Sequence, residues 1–71
     1  MTPEDKRLRL GAAIRDRREA QGLSQHKLAL MVGSSKSHIW RIESGRVSVG
    51  LDDLGRIADA LDIEVRQLFT F

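Results

Sequence analysis

Apolar residues recur every three to four positions along most of the chain, which is the spacing of one face of an α-helix. Because this helical spacing accounts for most of the chain and no strand is expected, the pattern predicts an all-α fold. At the start of the chain, Thr2, Pro3 and Asp5 are the residue types of a helix N-cap, a first helical residue and a capping-box acid. Gly22 is expected to end this first helix after about Gln21.

The middle of the chain predicts two short helices joined by a sharp turn. Leu28 and Val32 lie one helical turn apart and form the inward stripe of a second helix. Ile39 and Ile42 do the same for a third helix. Gly33, between the two, allows the left-handed backbone that ends one helix and turns the chain into the next. This order is a helix-turn-helix, a unit whose second helix can enter the major groove of DNA.

The last third of the chain predicts two more helices. The apolar residues of the fourth helix repeat at helical spacing: Leu51, Leu54, Ile57, Ala58 and Leu61. A short fifth helix is expected over residues 63–69. The expectation is therefore a single five-helix domain over residues 1–71, with the helix-turn-helix at about residues 24–44.

Composition narrows the function classes further. The chain of 71 residues buries only a modest core and offers little room for a large catalytic cleft. It has no cysteine, and His26 and His38 lack the neighbours that a metal site needs, so no metal or other cofactor is expected. No nucleophile with a base, phosphate-binding loop or metal cluster can be assembled, so no enzymatic activity is expected. The absence of a long apolar run or a signal-like N-terminus predicts a cytoplasmic protein that does not bind membranes.

Charge is distributed unevenly along the chain. The formal net charge is only +2, which does not by itself indicate nucleic acid. Residues 24–46 carry four cations and one acid, whereas residues 47–71 carry two cations and five acids. A solvated charged surface is the ordinary explanation of such runs. The coincidence of the basic run with the helix-turn-helix favours a face that meets an anion.

The third helix, placed on a wheel, separates an inner side from an outer side. Arg41 and Ser37 fall on the outer side, and the planar guanidinium of Arg41 suits two parallel hydrogen bonds to guanine. Lys36, at the helix N-terminus, is placed to reach a neighbouring base. Arg41, Lys36 and Ser37 are therefore the expected base-reading residues. Expected contacts to the DNA backbone flank that face or lie at helix N-termini: Ser24, Gln25, Lys27, Ser35, His38 and Trp40.

Three of these backbone contacts have simpler alternatives. The serines are also ordinary N-cap residues. Lys27 lies in the first turn of its helix, where the helix dipole prefers an acid, so a nearby phosphate would explain its charge. The alternative for Lys27 is a solvated surface lysine.

Glu43 falls on the inner side of the third helix. A buried carboxylate is costly without a partner, and Arg18 on the inward face of the first helix is the expected partner. Because no base or nucleophile accompanies Glu43, the pair is expected to fix the third helix against the first rather than to take part in catalysis.

Between Ile14 and Leu68 the chain carries the runs GLSQHKLALMVGSSKSHIWRIESG and LDDLGRIADALDIEVRQLF. In this order they resemble the Cro/phage-repressor (XRE-like) family of helix-turn-helix regulators. The RVSVGLDDL loop and the LF ending resemble restriction-modification controller proteins in particular, although repressors and antitoxins of the family look much the same. The resemblance implies a lambda-repressor-like five-helix domain in which Gln25 contacts a phosphate and braces the recognition helix. It also implies the base-reading residues and ion pair already named, and DNA-backbone contacts from Ser44 and Arg46.

The expected function is a sequence-specific regulator of transcription that binds double-stranded DNA as a homodimer on a two-fold operator. One recognition helix covers few base pairs, whereas two held about 34 Å apart read successive major grooves. The apolar end of the chain is the expected dimer interface, through Val65, Leu68 and Phe71. The alternative there is that Phe69 and Phe71 complete the core of the monomer. The alternative function is an antitoxin or adaptor whose main role is to bind a protein partner.

Overall fold

A computed structural model describes the whole chain, Met1–Phe71. Four α-helices follow one another, α1 (Pro3–Ala20), α2 (Gln25–Val32), α3 (Lys36–Glu43) and α4 (Leu51–Ala60), and a single 3-10 turn spans Val65–Leu68. The chain has no strand, which confirms the all-α class. None of the four helices combines the length and apolar character needed to cross a lipid bilayer.

The predicted fifth helix is present only as this C-terminal 3-10 turn. Its backbone hydrogen bonds span three residues. The amide of Gln67 donates to the carbonyl of Glu64, and the amide of Phe69 donates to the carbonyl of Arg66. The segment is too short for a ladder of α-helical bonds, and such three-residue bonds close a tighter turn instead. The five-helix architecture is therefore corrected to four α-helices and one 3-10 turn.

The caps of α1 form as the sequence predicts. The Thr2 hydroxyl accepts a hydrogen bond from the Asp5 amide at 3.1 Å, and the Thr2 amide donates to the Asp5 carboxylate at 3.2 Å. This capping box satisfies amide groups that the first turn leaves unpaired. The helix ends at Ala20, and Gly22 takes the left-handed conformation at φ +70°.

The helix-turn-helix is formed by α2 and α3. The Ser24 hydroxyl caps α2 by accepting from the Lys27 amide at 3.0 Å, and the Ser35 hydroxyl caps α3 by accepting from the His38 amide at 3.1 Å. Between them, Gly33 has φ 70°, the left-handed backbone that a residue with a side chain adopts only with strain. Capping by the serines, the simpler of the two explanations for them, is thus confirmed.

One hydrophobic core lies among the helices, where α2 packs against α3 and α4, and α1 packs against α3 and the C-terminal 3-10 turn. It contains ten buried apolar residues: Ile14, Leu28, Ala29, Ile39, Ile42, Leu54, Ile57, Ala58, Leu61 and Leu68. Leu68 is fully buried, because the 3-10 turn folds back on α1 and α4 and directs this side chain inward. The expectation that Leu68 lies on a dimer surface is therefore wrong.

The other apolar residues of the C-terminal segment stay near the surface. Val65 is partly buried, and Phe69 and Phe71 are 48% and 39% exposed. The two phenylalanine rings lie beside each other, with centroids 5.8 Å apart. The alternative in which both phenylalanines complete the core of the monomer is therefore also wrong.

Helix α1 approaches the end of α3 very closely at a glycine. A Cβ atom on Gly11 would lie 2.4 Å from the carbonyl oxygen of Ile42 and 2.6 Å from that of Glu43. Only a residue without a side chain permits this backbone separation. Gly11 thus allows the last turn of α3 to pack directly against α1, and this contact helps to orient α3.

Candidate nucleic-acid interface

The two sides of α3 differ as the wheel predicts. Ile39 and Ile42 are each only 1% exposed and anchor the inner side in the core. Lys36, Ser37 and Arg41 are exposed. The helix therefore presents two cations and a hydroxyl outward from a face that is fixed from behind, which is the arrangement a major-groove reading helix needs.

A groove of about 470 Å³ runs between the start of α2 and the outer face of α3. Five predicted DNA-contacting residues line it: Gln25, Lys36, Ser37, Trp40 and Arg41. The structure thus brings residues from two helices together around one surface. The lining combines hydrogen-bond donors with an aromatic ring, groups that recognise base edges, phosphates and the thymine methyl group.

A second concave region, of about 430 Å³, lies on the opposite flank of α3, against α4. Here Asp53 forms an ion pair with Arg56, and the Nε2 atom of His38 lies 3.7 Å from the Asp53 carboxylate. The hydrogen bond from the Arg56 guanidinium lowers the pKa of Asp53 from its ordinary value, and His38 contributes in the same direction. Arg41 lines the same region.

Sequence reasoning missed Asp53 and Arg56. Their separation of three residues on α4 is a recognisable signal for a helical ion pair. Nothing in the local sequence places that pair opposite His38 on another helix. His38, one of the predicted backbone contacts, thus lies beside a charged pair on α4.

Arg18 and Glu43 form a buried ion pair. The Arg18 Nε and Nη2 atoms donate to the two Glu43 carboxylate oxygens at 2.7 and 3.0 Å, and its Nη1 atom donates to the carbonyl of Leu23 at 2.7 Å. The residues are only 8% and 6% exposed. The hydrogen bond to Glu43 raises the pKa of Arg18, although burial opposes that shift. The paired geometry fixes α3 to α1, as the sequence predicts.

Gln25 extends this pair to the start of α2. Its amide nitrogen donates to a Glu43 carboxylate oxygen at 3.0 Å, while the residue also lines the groove beside α3. No buried side-chain nitrogen or oxygen lacks a hydrogen-bond partner. Three helices therefore meet through a satisfied polar network, and Gln25 links that network to the candidate interface.

The remaining predicted backbone contacts lie at the ends of α2 and α3. Lys27 is exposed on the first turn of α2 and forms no ion pair. Ser44 uses its hydroxyl within the helix, donating to the Trp40 carbonyl at 2.7 Å. Arg46 follows the end of α3, and its guanidinium carbon lies 4.9 Å from the centre of the Trp40 ring.

Arg7 is a further cation beside this end of α3 that sequence reasoning did not select. Its Nε atom donates to the carbonyl of Gly45 at 3.4 Å, and it shares a surface groove with Arg46. Its place could not be predicted, because Arg7 and Gly45 are distant in sequence and meet only when α1 packs on α3.

Comparison with known proteins identifies the family. The helix-turn-helix family model HTH_3 matches residues 14–68, which is most of the chain. The chain therefore belongs to the helix-turn-helix family of DNA-binding regulators, and the resemblance to XRE-like regulators is confirmed.

Individual relatives are regulators or control-region proteins. The uncharacterized HTH-type transcriptional regulator y4dL of Sinorhizobium fredii is 44% identical over 52 residues, which are 73% of this chain and 26% of that protein. The ImmF control region 10 kDa protein of Bacillus phage phi105 is 33% identical over 60 residues, 84% of this chain and 67% of that one. The chain thus spans about a quarter of the first relative and two thirds of the second.

A solved structure is similar over nearly the whole chain. The restriction-modification controller protein C.AhdI from Aeromonas hydrophila has a TM-score of 0.92 at 36% identity. The match covers 97% of this chain and 100% of that chain. The fold of this chain is therefore matched over nearly its whole length by a protein of about the same size.

Proposed function

We propose that this chain is a sequence-specific regulator of transcription that binds double-stranded DNA as a homodimer on a two-fold operator. The observation that carries the proposal is the division of α3, with Ile39, Ile42 and Glu43 fixed on its inner side and Lys36, Ser37 and Arg41 exposed on the other. A helix held from behind and cationic in front can be inserted into a major groove without rearrangement.

Arg41 has the leading role in base recognition. It lies in the middle of the outer face and lines both concave regions that flank α3, so it stands at the centre of the candidate interface. Its guanidinium can donate two hydrogen bonds to the O6 and N7 atoms of guanine. Lys36 and Ser37, one turn closer to the helix N-terminus, reach the adjacent base pairs.

The flanking residues bind the sugar-phosphate backbone. Lys27 and Arg46 supply charge at the start of α2 and the end of α3, and neither forms an ion pair within the protein. Unpaired cations release counterions when they bind phosphate, which favours binding to any DNA sequence. The other proposed backbone contacts are Ser24, Gln25, Ser35, His38 and Ser44, and Trp40 lies beside Arg46.

The proposed dimer interface uses the surface of the C-terminal segment. With Leu68 in the core, Val65 and Phe71 remain from the predicted set, and the exposed ring of Phe69 lies beside Phe71. A two-fold contact through these residues would bury apolar surface and present two copies of α3 to one side of the duplex. Half-sites centred about 34 Å apart would then meet both recognition helices.

Selection from random duplex DNA tests the proposal. We expect an enriched inverted repeat whose halves are separated by about one helical turn, roughly 10 base pairs. The purified chain is used alone, because an antitoxin or adaptor that needs a protein partner would enrich no sequence under these conditions. Absence of any enriched sequence contradicts sequence-specific binding, and an asymmetric single site contradicts the two-fold operator.

Two variants separate base reading from backbone binding. Arg41→Ala should cost about 1 to 3 kcal/mol on the selected site and relax specificity at one position in each half. Lys27→Ala should weaken binding to all sequences alike and reduce the slope of log K against log salt by about one. Arg15→Ala, which removes an exposed cation from α1, is the control. Equal losses on selected and scrambled DNA for Arg41→Ala would exclude base reading by this residue.

A further inference from the structure

Trp40 is a large aromatic residue on the outer side of the recognition helix. It is 46% exposed, and it is the single tryptophan of a chain that has no tyrosine. The guanidinium carbon of Arg46 lies 4.9 Å from the centre of its ring, within the range of a cation–π contact. A stacked pair of this kind on a surface proposed to meet DNA needs an explanation beyond core packing.

The backbone that carries Arg46 is held rigidly. Gly45 takes the left-handed conformation at φ +72°, and the Arg46 amide donates to the Arg41 carbonyl at 2.9 Å. Gly45 is also buried against α1, where a Cβ atom on it would lie 2.9 Å from the Cα atom of Leu8. Since the main chain is fixed in this way, the remaining conformational freedom of Arg46 lies in its long side chain. That side chain contacts Trp40.

Stacking leaves the hydrogen-bonding edge of a guanidinium free. The guanidinium carbon of Arg46 lies over the Trp40 ring, and the N–H groups of arginine point outward in the plane of the guanidinium. Arg46 forms no ion pair with any carboxylate of the chain. Its donors are therefore available to an external anion while its side chain is already ordered.

We propose that Trp40 is a positioning residue that holds the Arg46 guanidinium ready to bind a DNA phosphate at the C-terminal end of α3. The inference rests on the proposed function and adds a division of labour: Arg46 makes the contact, and Trp40 reduces the loss of side-chain freedom that the contact requires. Because phosphates are the same at every base pair, this pair increases affinity without altering sequence preference.

The stack itself is tested without DNA. Protons that lie over the face of an aromatic ring move upfield in NMR spectra. We expect the side-chain proton signals of Arg46 to lie upfield of those of Arg41, and to return to ordinary positions in Trp40→Leu. Trp40→Phe should keep a smaller upfield displacement, because phenylalanine also binds cations on its face but less strongly than tryptophan. Ordinary Arg46 shifts in the parent protein would overturn the proposal.

The positioning role is tested by a double-mutant cycle on DNA binding. Trp40→Leu should weaken binding about two- to fivefold, the effect of an exposed cation–π contact, on the selected site and on unrelated duplex alike. Arg46→Ala should lower the salt slope by about 0.9, the value for one phosphate contact. In the Arg46→Ala background, Trp40→Leu should cause no further loss. With Arg46 present, Trp40→Phe should retain part of the affinity that Trp40→Leu loses.

The outcomes distinguish this inference from the proposed function. If Trp40→Leu weakens binding equally with and without Arg46, then Trp40 contacts DNA directly and the positioning role is wrong. Unchanged binding in Trp40→Leu also overturns it, while the parent still binds its selected site and the proposed function stands. If the parent protein binds no duplex DNA, both the positioning role of Trp40 and the proposed function are wrong. Met31→Ala is the control, since Met31 is equally exposed at 45% but lies on α2 beside α4.

Discussion

The junction between α1 and α3 and the segment that follows α4 are held by different kinds of contact. At the junction, Gly11 brings the two helix backbones together and a buried ion pair joins Arg18 to Glu43. From the C-terminal 3-10 turn onward, Leu68 is the one fully buried side chain, and the phenylalanines beyond it stay exposed. The first region combines steric and polar constraints, whereas the second depends on a single apolar anchor.

This difference matches what each region is proposed to do. A helix that reads bases must be placed accurately, because hydrogen bonds to base edges tolerate little displacement. The α1–α3 junction supplies that accuracy, since a shifted α3 would lose either the ion pair or the glycine contact. A dimer interface instead requires exposed apolar surface, which the C-terminal segment has in Phe69 and Phe71.

The largest expected effect comes from removing one partner of the buried pair. Glu43→Ala should lower the free energy of unfolding by about 3 to 5 kcal/mol, because Arg18 would remain buried without its counter-charge. Gln25 would lose its hydrogen-bond acceptor at the same time. Urea denaturation followed by circular dichroism measures the loss. A melting temperature within a degree or two of the parent would contradict it.

A double variant sharpens this result. Replacing both charges, with Arg18→Met and Glu43→Leu together, removes the unpaired ion and should recover much of the lost stability. The recovered protein should still bind DNA less well if the paired geometry places α3. Full DNA affinity in a stable double variant would show that the pair has no positioning role.

The next largest effect tests the anchor of the other region. Leu68→Ala should destabilise the protomer by about 2 to 5 kcal/mol, the cost of a truncated and fully buried leucine. The loss should persist at protein concentrations where no dimer forms, because the contacts of Leu68 are within one chain. If the Leu68→Ala variant were as stable as the parent at such dilution, and less stable only at concentrations where the dimer forms, Leu68 would belong to the interface.

A glycine pair provides the third comparison. Gly11→Ala should destabilise by about 1 to 3 kcal/mol, because the new methyl group would press on the carbonyl groups of Ile42 and Glu43. Gly55 is the matched control, since it also lies inside a helix and a Cβ atom there would meet nothing within 4 Å. Gly55→Ala should stabilise by about 0.5 to 1 kcal/mol. Thermal unfolding measures both changes in stability. Changes of opposite sign support the close approach of α1 to α3, and changes of the same sign contradict it.

Features that depend on neighbouring residues could be predicted from the sequence. The caps at Ser24 and Ser35 and the left-handed turn at Gly33 each follow from the chemistry of a few consecutive positions. The Arg18–Glu43 pair was also accessible, because helical periodicity placed both charges on inward faces where each needed a partner.

Features that depend on distant contacts could not be predicted in the same way. In the sequence, Gly11 is only a glycine that lowers the stability of a helix. Its close contact with the carbonyl groups of α3 is known only from the structure. The approach of His38 to Asp53 likewise requires α3 and α4 both to pack against α2. The burial of Leu68 cannot be predicted either, because a count of apolar residues does not show which of them lie in the core.

The fourth prediction concerns the exposed part of the C-terminal segment. Phe71→Asp should convert the proposed dimer to a monomer in sedimentation experiments at micromolar concentration, because it places a charge in the apolar contact. The stability of the protomer should change by no more than about 0.5 kcal/mol, as for most surface substitutions. Leu8→Asp is the control, since Leu8 is 47% exposed on α1, outside the proposed interface. A Phe71→Asp variant that keeps the mass of a dimer would refute this interface.

The smallest expected effect lies on the flank of α3 that faces α4, outside both compared regions. The Arg56 guanidinium, with His38, holds the pKa of Asp53 below its ordinary value, so the ionised carboxylate is favoured in the folded protein. A carboxyl group with a lowered pKa contributes stability above its unfolded pKa of about 3.9 and loses it as pH falls through the folded value. Asp53→Asn should therefore melt slightly below the parent at neutral pH, and this difference in melting temperature should close between about pH 5 and pH 2.

Asp59→Asn on the same helix, where Asp59 forms no ion pair, controls for the loss of a charge. A gap between parent and Asp53→Asn that stays constant down to pH 2 would show that the Asp53 contacts do not depend on its charge.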